Sequence, residues 1–159
     1  LYQTENDIIL DSTLEAIQML KDQGYIVCAA TGRPLNQMKL ILEKVTFDYY
    51  VLINGGYILD SQLNEIDSFP IAKESVNDLV ALCKEKEFGL LFHFGDASYI
   101  YNNFYPMYYF CKYCNVLDSL FYDQSQTFHK RHDAYDAVVL TKDKSAIDDF
   151  MKKVYFSYH

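Results

Sequence analysis

Two short stretches carry the residue types from which a phosphate site can be made. Thr31-Gly32-Arg33 offers a hydroxyl, a residue without a side chain and a guanidinium in consecutive positions; Asn54-Gly55-Gly56 offers an amide followed by two glycines. A hydroxyl and free backbone N–H groups at a helix start donate to phosphate oxygens, and a guanidinium adds charge in a fork that matches them. Thr-Gly ahead of Pro34 is also plain loop and cap chemistry, since proline suits a first helical turn. A second constellation is Cys111, Cys114, His129 and His132, a C-x-x-C and an H-x-x-H with fourteen residues between the pairs. That is close to the spacing of a zinc site, with the histidine pair one residue short. The other reading has Cys111 packing as a small apolar residue within an aromatic helix. A redox dithiol would need a strand leading into C-x-x-C, and none does.

The elements around the first two stretches read as a βαβ unit. Residues 12–23 form a helix with Ser12 and Glu15 as a capping box, Leu14, Ile17 and Leu20 as its buried stripe, and Gly24 as a left-handed C-cap. Tyr25 to Ala30 is a run of six residues without a charge, as in a strand covered on both faces. Leu35, Met38, Ile41, Leu42 and Val45 make a second amphipathic helix, and Tyr49 to Ile53 a second buried strand. The unit implies a parallel sheet with a right-handed crossover. Both polar stretches then stand at carboxyl ends of parallel strands, where open α/β sheets bind ligands.

Beyond Gly56 the pattern changes. A hairpin (57–60 and 65–69) ends at Pro70, and a helix occupies 73–87. A second hairpin (90–94 and 97–101) turns at Gly95-Asp96. An aromatic helix fills 104–113, 115–133 shows no period, and strand 135–140, helix 145–153 and strand 154–158 follow. The change near Pro70 divides the chain into 1–70 and 71–159.

Composition narrows the partners. The 159 residues are 50% apolar and carry a formal charge of −8 with a pI near 4.8, which disfavours nonspecific binding to nucleic acid or an anionic membrane. Four cysteines are too few for a disulfide scaffold, so a reducing, cytoplasmic setting is the default; a homo-oligomer is left open. The first residue is Leu1, and the chain stops at Tyr158-His159 within the last β-like run, so both ends read as cut.

The succession helix, G-Y-I-V-C-A-A-T-G-R-P, helix, Y-Y-V-L-I-N-G-G-Y-I-L-D resembles the haloacid dehalogenase superfamily, specifically its Cof-like phosphatases. The match is close over residues 1–70 and continues beyond only in the pattern of elements. The resemblance implies part of a Rossmann-like α/β core followed by most of an α/β cap, and a Mg²⁺-dependent phosphohydrolase acting on small phosphorylated metabolites. Thr31 stands where the family's second motif donates to the transferring phosphoryl group. Gly32 lets the backbone approach, Arg33 contacts substrate or loop backbone, and Asn54 and Gly55 line the same cleft. The family's D-x-D-G-T nucleophile motif is absent, since no two Asp residues stand at i and i+2; in the family it would directly precede Leu1. The phosphate-binding Lys and the G-D-x-x-x-D metal motif would follow the cap. Gly95-Asp96 does not supply the latter, because Ile100 occupies the position four after Asp96. The chain as given is therefore expected to be inactive, and a non-catalytic phosphate-binding or interaction domain is the alternative. The aromatics crowded into 98–113, Tyr105, Tyr108 and Tyr109 among them, either line the mouth opposite Thr31 or form cap core or a cap-mediated dimer surface.

Overall fold

Two four-stranded sheets organise the chain. The computed structural model describes residues 2–3, 8–114, 116–117 and 120–157, with side chains for 9–114, 116–117 and 120–152; Leu1, Tyr158 and His159 lie outside the described residues. A ribbon of β1 (Tyr2–Gln3) and β2 (Ile8–Ile9) leads into α1 (Asp11–Asp22). The capping box is not used. The helix begins one residue early, with Leu10 as N-cap and no side-chain cap bond, so Ser12 already lies inside the first turn. The far end is as expected. Gly24 adopts φ +81, Gly24 N–H donates to Lys21 O at 2.9 Å and Tyr25 N–H to Leu20 O at 3.1 Å, closing a Schellman motif.

The βαβ unit forms, in shorter pieces than expected. β3 (Cys28–Ala30) pairs parallel with β4 (Tyr49–Leu52), Cys28 opposite Tyr49 and Ala30 opposite Val51. β5 (Tyr57–Asp60) and β6 (Glu65–Ser68) continue the sheet antiparallel in the order β3-β4-β5-β6. Among the described residues β3 is an edge strand, and its faces are not both covered as expected. Tyr25 and Ile26 are 60% and 70% exposed, and Cys28 and Ala30 are exposed too. Leu20, expected in the buried stripe of α1, also faces solvent. The second helix is broken into a 3-10 turn at Leu35–Gln37 and α2 (Lys39–Leu42). Pro34 enters extended, and the bonds Gln37 N–H to Pro34 O and Met38 N–H to Leu35 O close tight i+3 turns. Met38, only 2% exposed, is the pivot at which α-helical winding restarts. Ile17, Met38, Phe47, Tyr50, Leu52 and Leu59 form the core of this half.

The second half contains α3 (Lys73–Glu85), β7 (Gly89–His93), β8 (Ser98–Asn102), α4 (Phe104–Tyr113), β9 (Leu120–Tyr122), a 3-10 turn at Phe128–Lys130, β10 (Asp136–Leu140) and α5 (Lys144–Ser157). Its sheet order is β10-β7-β8-β9, with β9 parallel to β8. Of the strand expected at 154–158, residues 154–157 continue α5 instead, and Tyr158 lies outside the described residues. Extending an existing helix adds a bond per residue fixed, which outweighs the local β preference of Val154, Tyr155 and Phe156. β9 and the 3-10 turn arise where the sequence shows no period: one is three residues long and the other a single turn. Val76, Leu79 and Cys83 of α3 pack on Leu90, Phe92 and Tyr101, with Ile147 and Phe150 of α5 against the same cluster. Met107 and Cys111 of α4 cover Leu91 and Ile100.

Two histidines are buried in this half. His93 Nδ1 meets Ser98 Oγ at 2.7 Å. The His129 ring lies between the Tyr101 hydroxyl, 3.0 Å from Nδ1, and Asn77 Oδ1, 3.0 Å from Nε2. Because Asn77 Oδ1 only accepts, Nε2 carries the proton, and Nδ1 accepts from Tyr101. Burial lowers both histidine pKa values; Lys130 and Lys73 add to the effect at His129, and Asp136 opposes it at His93. Between the folded and the unfolded value of 6.5 the unfolded chain binds more protons, so stability is complete above pH about 6.5 and falls as the pH drops below it. Urea midpoints measured from pH 8 to pH 5 should decline only below that point, and His129→Gln should flatten the decline.

Candidate active site

The residues singled out in the sequence meet at one edge of the first sheet. Thr31 directly follows β3 and is tied to β4 by its N–H donating to Val51 O at 3.0 Å; Asn54 N–H returns to Thr31 O at 3.2 Å. The Thr31 side chain is half-buried, and its Oγ1 accepts from Arg33 N–H at 3.1 Å, which leaves the hydroxyl proton available to a ligand. Gly32 lies flat against Asn54. A Cβ at Gly32 would stand 2.8 Å from Asn54 Oδ1, so the Asn54 amide lies directly over the bare Gly32 backbone and would have to turn aside for any larger residue.

The loop after β4 is held in an unusual shape. Ile53, Asn54 and Gly55 have φ of 49, 55 and 96 in succession. Left-handed backbone is costly for a β-branched residue, and here it is sustained by burying Ile53 to 2% exposure and by Ile53 N–H donating to Arg33 O at 3.2 Å. The bend leaves Asn54 exposed beside Thr31 and Gly32. Arg33 is drawn partly into its own turn, its guanidinium donating to Gln37 O at 3.4 Å. Thr31, Gly32, Arg33, Asn54 and Gly55 are therefore adjacent, with one hydroxyl donor and one exposed amide at the strand ends.

The zinc constellation does not assemble. Among the described residues no group of three or more His, Cys, Asp or Glu is placed to hold a metal ion. Cys111 is buried in α4, and both ring nitrogens of His129 are already partnered by Tyr101 and Asn77.

A neighbouring cleft of about 760 Å³ was not anticipated. It is lined by Tyr57 of β5, the Gly95-Asp96 turn, Tyr99, Arg131, His132 and Tyr135. Tyr57 pairs with Leu52 at the carboxyl end of β4, three residues after Asn54, and its ring packs on Tyr135 with centroids 5.0 Å apart. Burial, then the nearby Glu65 and Tyr135, pushes the Tyr57 phenol up to about 12. Of the 98–113 aromatics, Tyr99 lines this cleft, Tyr101 is buried, and Tyr105 and Tyr109 are exposed on α4. The one signal in the sequence that could have pointed to the cleft is Arg131-His132, two basic residues together in an acidic chain.

The family model of the haloacid dehalogenase-like hydrolases matches residues 1–158. The chain belongs to that family. Among solved structures, a protein of Bacteroides thetaiotaomicron described with the phosphatases of the haloacid dehalogenase superfamily superposes with a TM-score of 0.80 at 16% identity, covering 97% of this chain and 56% of its own. A hypothetical protein of Geobacillus kaustophilus gives 0.79 at 20% identity, with 93% and 57% covered. A sugar phosphatase of haloacid dehalogenase subclass IIB gives 0.72 at 20% identity, with 97% and 58% covered. These likenesses establish the fold, a Rossmann-like α/β architecture consistent with part of a core followed by a cap. This hydrolase-family chain spans a little under three-fifths of the solved structures it resembles. No curated protein matches it. Among the described residues no helix is long and apolar enough to cross a membrane.

Proposed function

We propose that the chain is part of a phosphohydrolase that cleaves small phosphate monoesters through an aspartyl-phosphate, residues 1–70 belonging to its core and 71–159 to its cap. The observation that carries this reading is the contact of Thr31-Gly32 with Asn54 at the carboxyl ends of two parallel strands. Thr31 Oγ donates to a phosphoryl oxygen, Gly32 gives that oxygen backbone access, Asn54 and Gly55 line the opposite side, and Arg33 stands at the rim. The sugar phosphatase among the structural neighbours is consistent with a phosphorylated metabolite as substrate.

Mg²⁺, when bound in such an enzyme, neutralises charge on the transferring phosphoryl group. The described residues do not fit it, as they offer no set of carboxylates. The attacking carboxylate is missing as well, for no Asp pair at i and i+2 occurs in the sequence. Positioning without a nucleophile does not transfer phosphate. The 159 residues incubated with Mg²⁺ and an aryl phosphate are therefore expected to release no phenol above buffer. A longer protein carrying D-x-D-G-T ahead of these residues, and the Lys and G-D-x-x-x-D motifs after them, should turn it over. Turnover by the 159 residues, lost on replacing one of their own acids, would overturn the assignment, and so would an inactive longer protein.

A further inference from the structure

Four rings from separate parts of the second half stack in sequence. Phe121 lies on Tyr99 with centroids 5.2 Å apart and planes 28° apart, Tyr99 on Phe128 at 4.0 Å and 18°, and Phe128 on His132 at 4.0 Å and 11°. The ladder ends at His132, which is exposed and has a ring against only one of its faces among the described residues.

The ladder is held from several directions. The Asp123 carboxylate accepts from Thr127 N–H at 2.7 Å and Phe128 N–H at 2.8 Å. The Lys73 ammonium donates to His129 O at 3.0 Å and His132 O at 2.8 Å while pairing with Asp133 at 2.8 Å. A ring fixed in advance stacks a ligand at a lower entropic cost.

Position and charge complete the case. His132 and Arg131 line the same 760 Å³ cleft as Tyr57 and Tyr135, Tyr135 lies against Gly56, two residues after Asn54, and both His132 and Arg131 also line a cavity of about 550 Å³. Arg131 is exposed and forms no ion pair with a described carboxylate.

We propose that the His132 end of this ladder, with Arg131 beside it, is a subsite for a planar heterocyclic leaving group, so that the preferred phosphate monoester is nucleotide-like and not a bare sugar phosphate. The proposal rests on the phosphate site at Thr31 and Asn54 and adds the identity of what the phosphate is attached to. The ring extends the stack over His132, and the guanidinium donates to acceptor atoms on its edge. Each base stacked on an aromatic residue adds affinity that alanine substitution removes.

The test compares adenosine 5′-monophosphate with ribose 5-phosphate, which carry adenine and a hydroxyl respectively at the anomeric carbon, as ligands of the 159-residue chain followed by NMR titration. The nucleotide is expected to bind roughly ten-fold more tightly and to shift the His132 ring protons. His132→Ala, at an exposed position, should bring the ratio close to one, Arg131→Gln should lower it, and Thr31→Val should weaken both ligands equally. Equal binding of the two ligands with the Thr31→Val effect retained would overturn the ring subsite and leave the phosphate site standing. Binding insensitive to Thr31→Val, or no binding of either ligand, would overturn the phosphate site and the proposal together. Preferential nucleotide binding that survives both His132→Ala and Arg131→Gln would place the ring elsewhere and overturn the proposal.

Discussion

Thr31→Val, made in a longer protein that carries the nucleophile, is expected to lower kcat on the order of 100-fold, the loss typical of one preorganised donor to a developing oxyanion. Valine keeps the branched shape of threonine and removes only the oxygen. In the fold that oxygen accepts one bond, from Arg33 N–H at 3.1 Å, so the local turn loses a single weak tie. The hydroxyl proton, which no described group claims, is the part that a phosphoryl oxygen would use. Stability should hardly change and turnover should collapse, a combination that separates a donor from a packing residue. Steady-state kinetics beside a thermal melt would show it, and kcat within about two-fold of the unmodified protein would remove Thr31 from the site.

The largest effect on stability is expected at Phe92. Its side chain is fully buried, edge-on to Tyr101 with centroids 5.1 Å apart and near Phe94 and His129 at 6.3 and 6.4 Å. Phe92→Ala removes a ring from the centre of the cluster between the sheet and α3, where rigid neighbours on all sides cannot collapse into the space. Such truncations cost about 3–5 kcal/mol. That is a large share of the 5–15 kcal/mol by which domains are typically stable. Tyr113→Ala is the control, since Tyr113 is 90% exposed and its loss should lie within about 0.5 kcal/mol of zero. Equal urea midpoints for the two variants would contradict the assigned core.

Much of this arrangement was legible because it depends on local chemistry. Gly24 announced a left-handed helix end and adopts one. Gly95-Asp96 announced a two-residue hairpin turn, and Phe94 N–H donates across it to Ala97 O at 2.8 Å. The adjacency of Thr31-Gly32 to Asn54 followed from reading two parallel strands. What escaped depends on contacts made at a distance. Tyr25 and Ile26 read as buried strand because they are apolar, yet they precede β3, and whether such residues are covered is decided by what packs on the faces of the sheet. Val154 to Phe156 favour strand by type and follow α5 into helix. The aromatic ladder joins positions 99, 121, 128 and 132, and nothing in their spacing reveals that the four rings lie parallel. Ile53 was read as a strand residue, and its left-handed backbone carries none of the glycine or asparagine signals that usually mark one.

β3 also has a consequence for handling the chain at the bench. Among the described residues it is an edge of its sheet with exposed Tyr25 and Ile26 leading into it, and neither a lysine nor a proline lies within Tyr25 to Ala30 to discourage another strand from docking there. At millimolar concentration the 159 residues are therefore prone to edge-to-edge self-association, despite a net charge of −8 that keeps copies apart at lower concentration. Salt would screen that repulsion, so light scattering from concentrated samples should rise as salt is added. Ile26→Lys, which puts a like charge at the approach to the edge, should keep the solution clear.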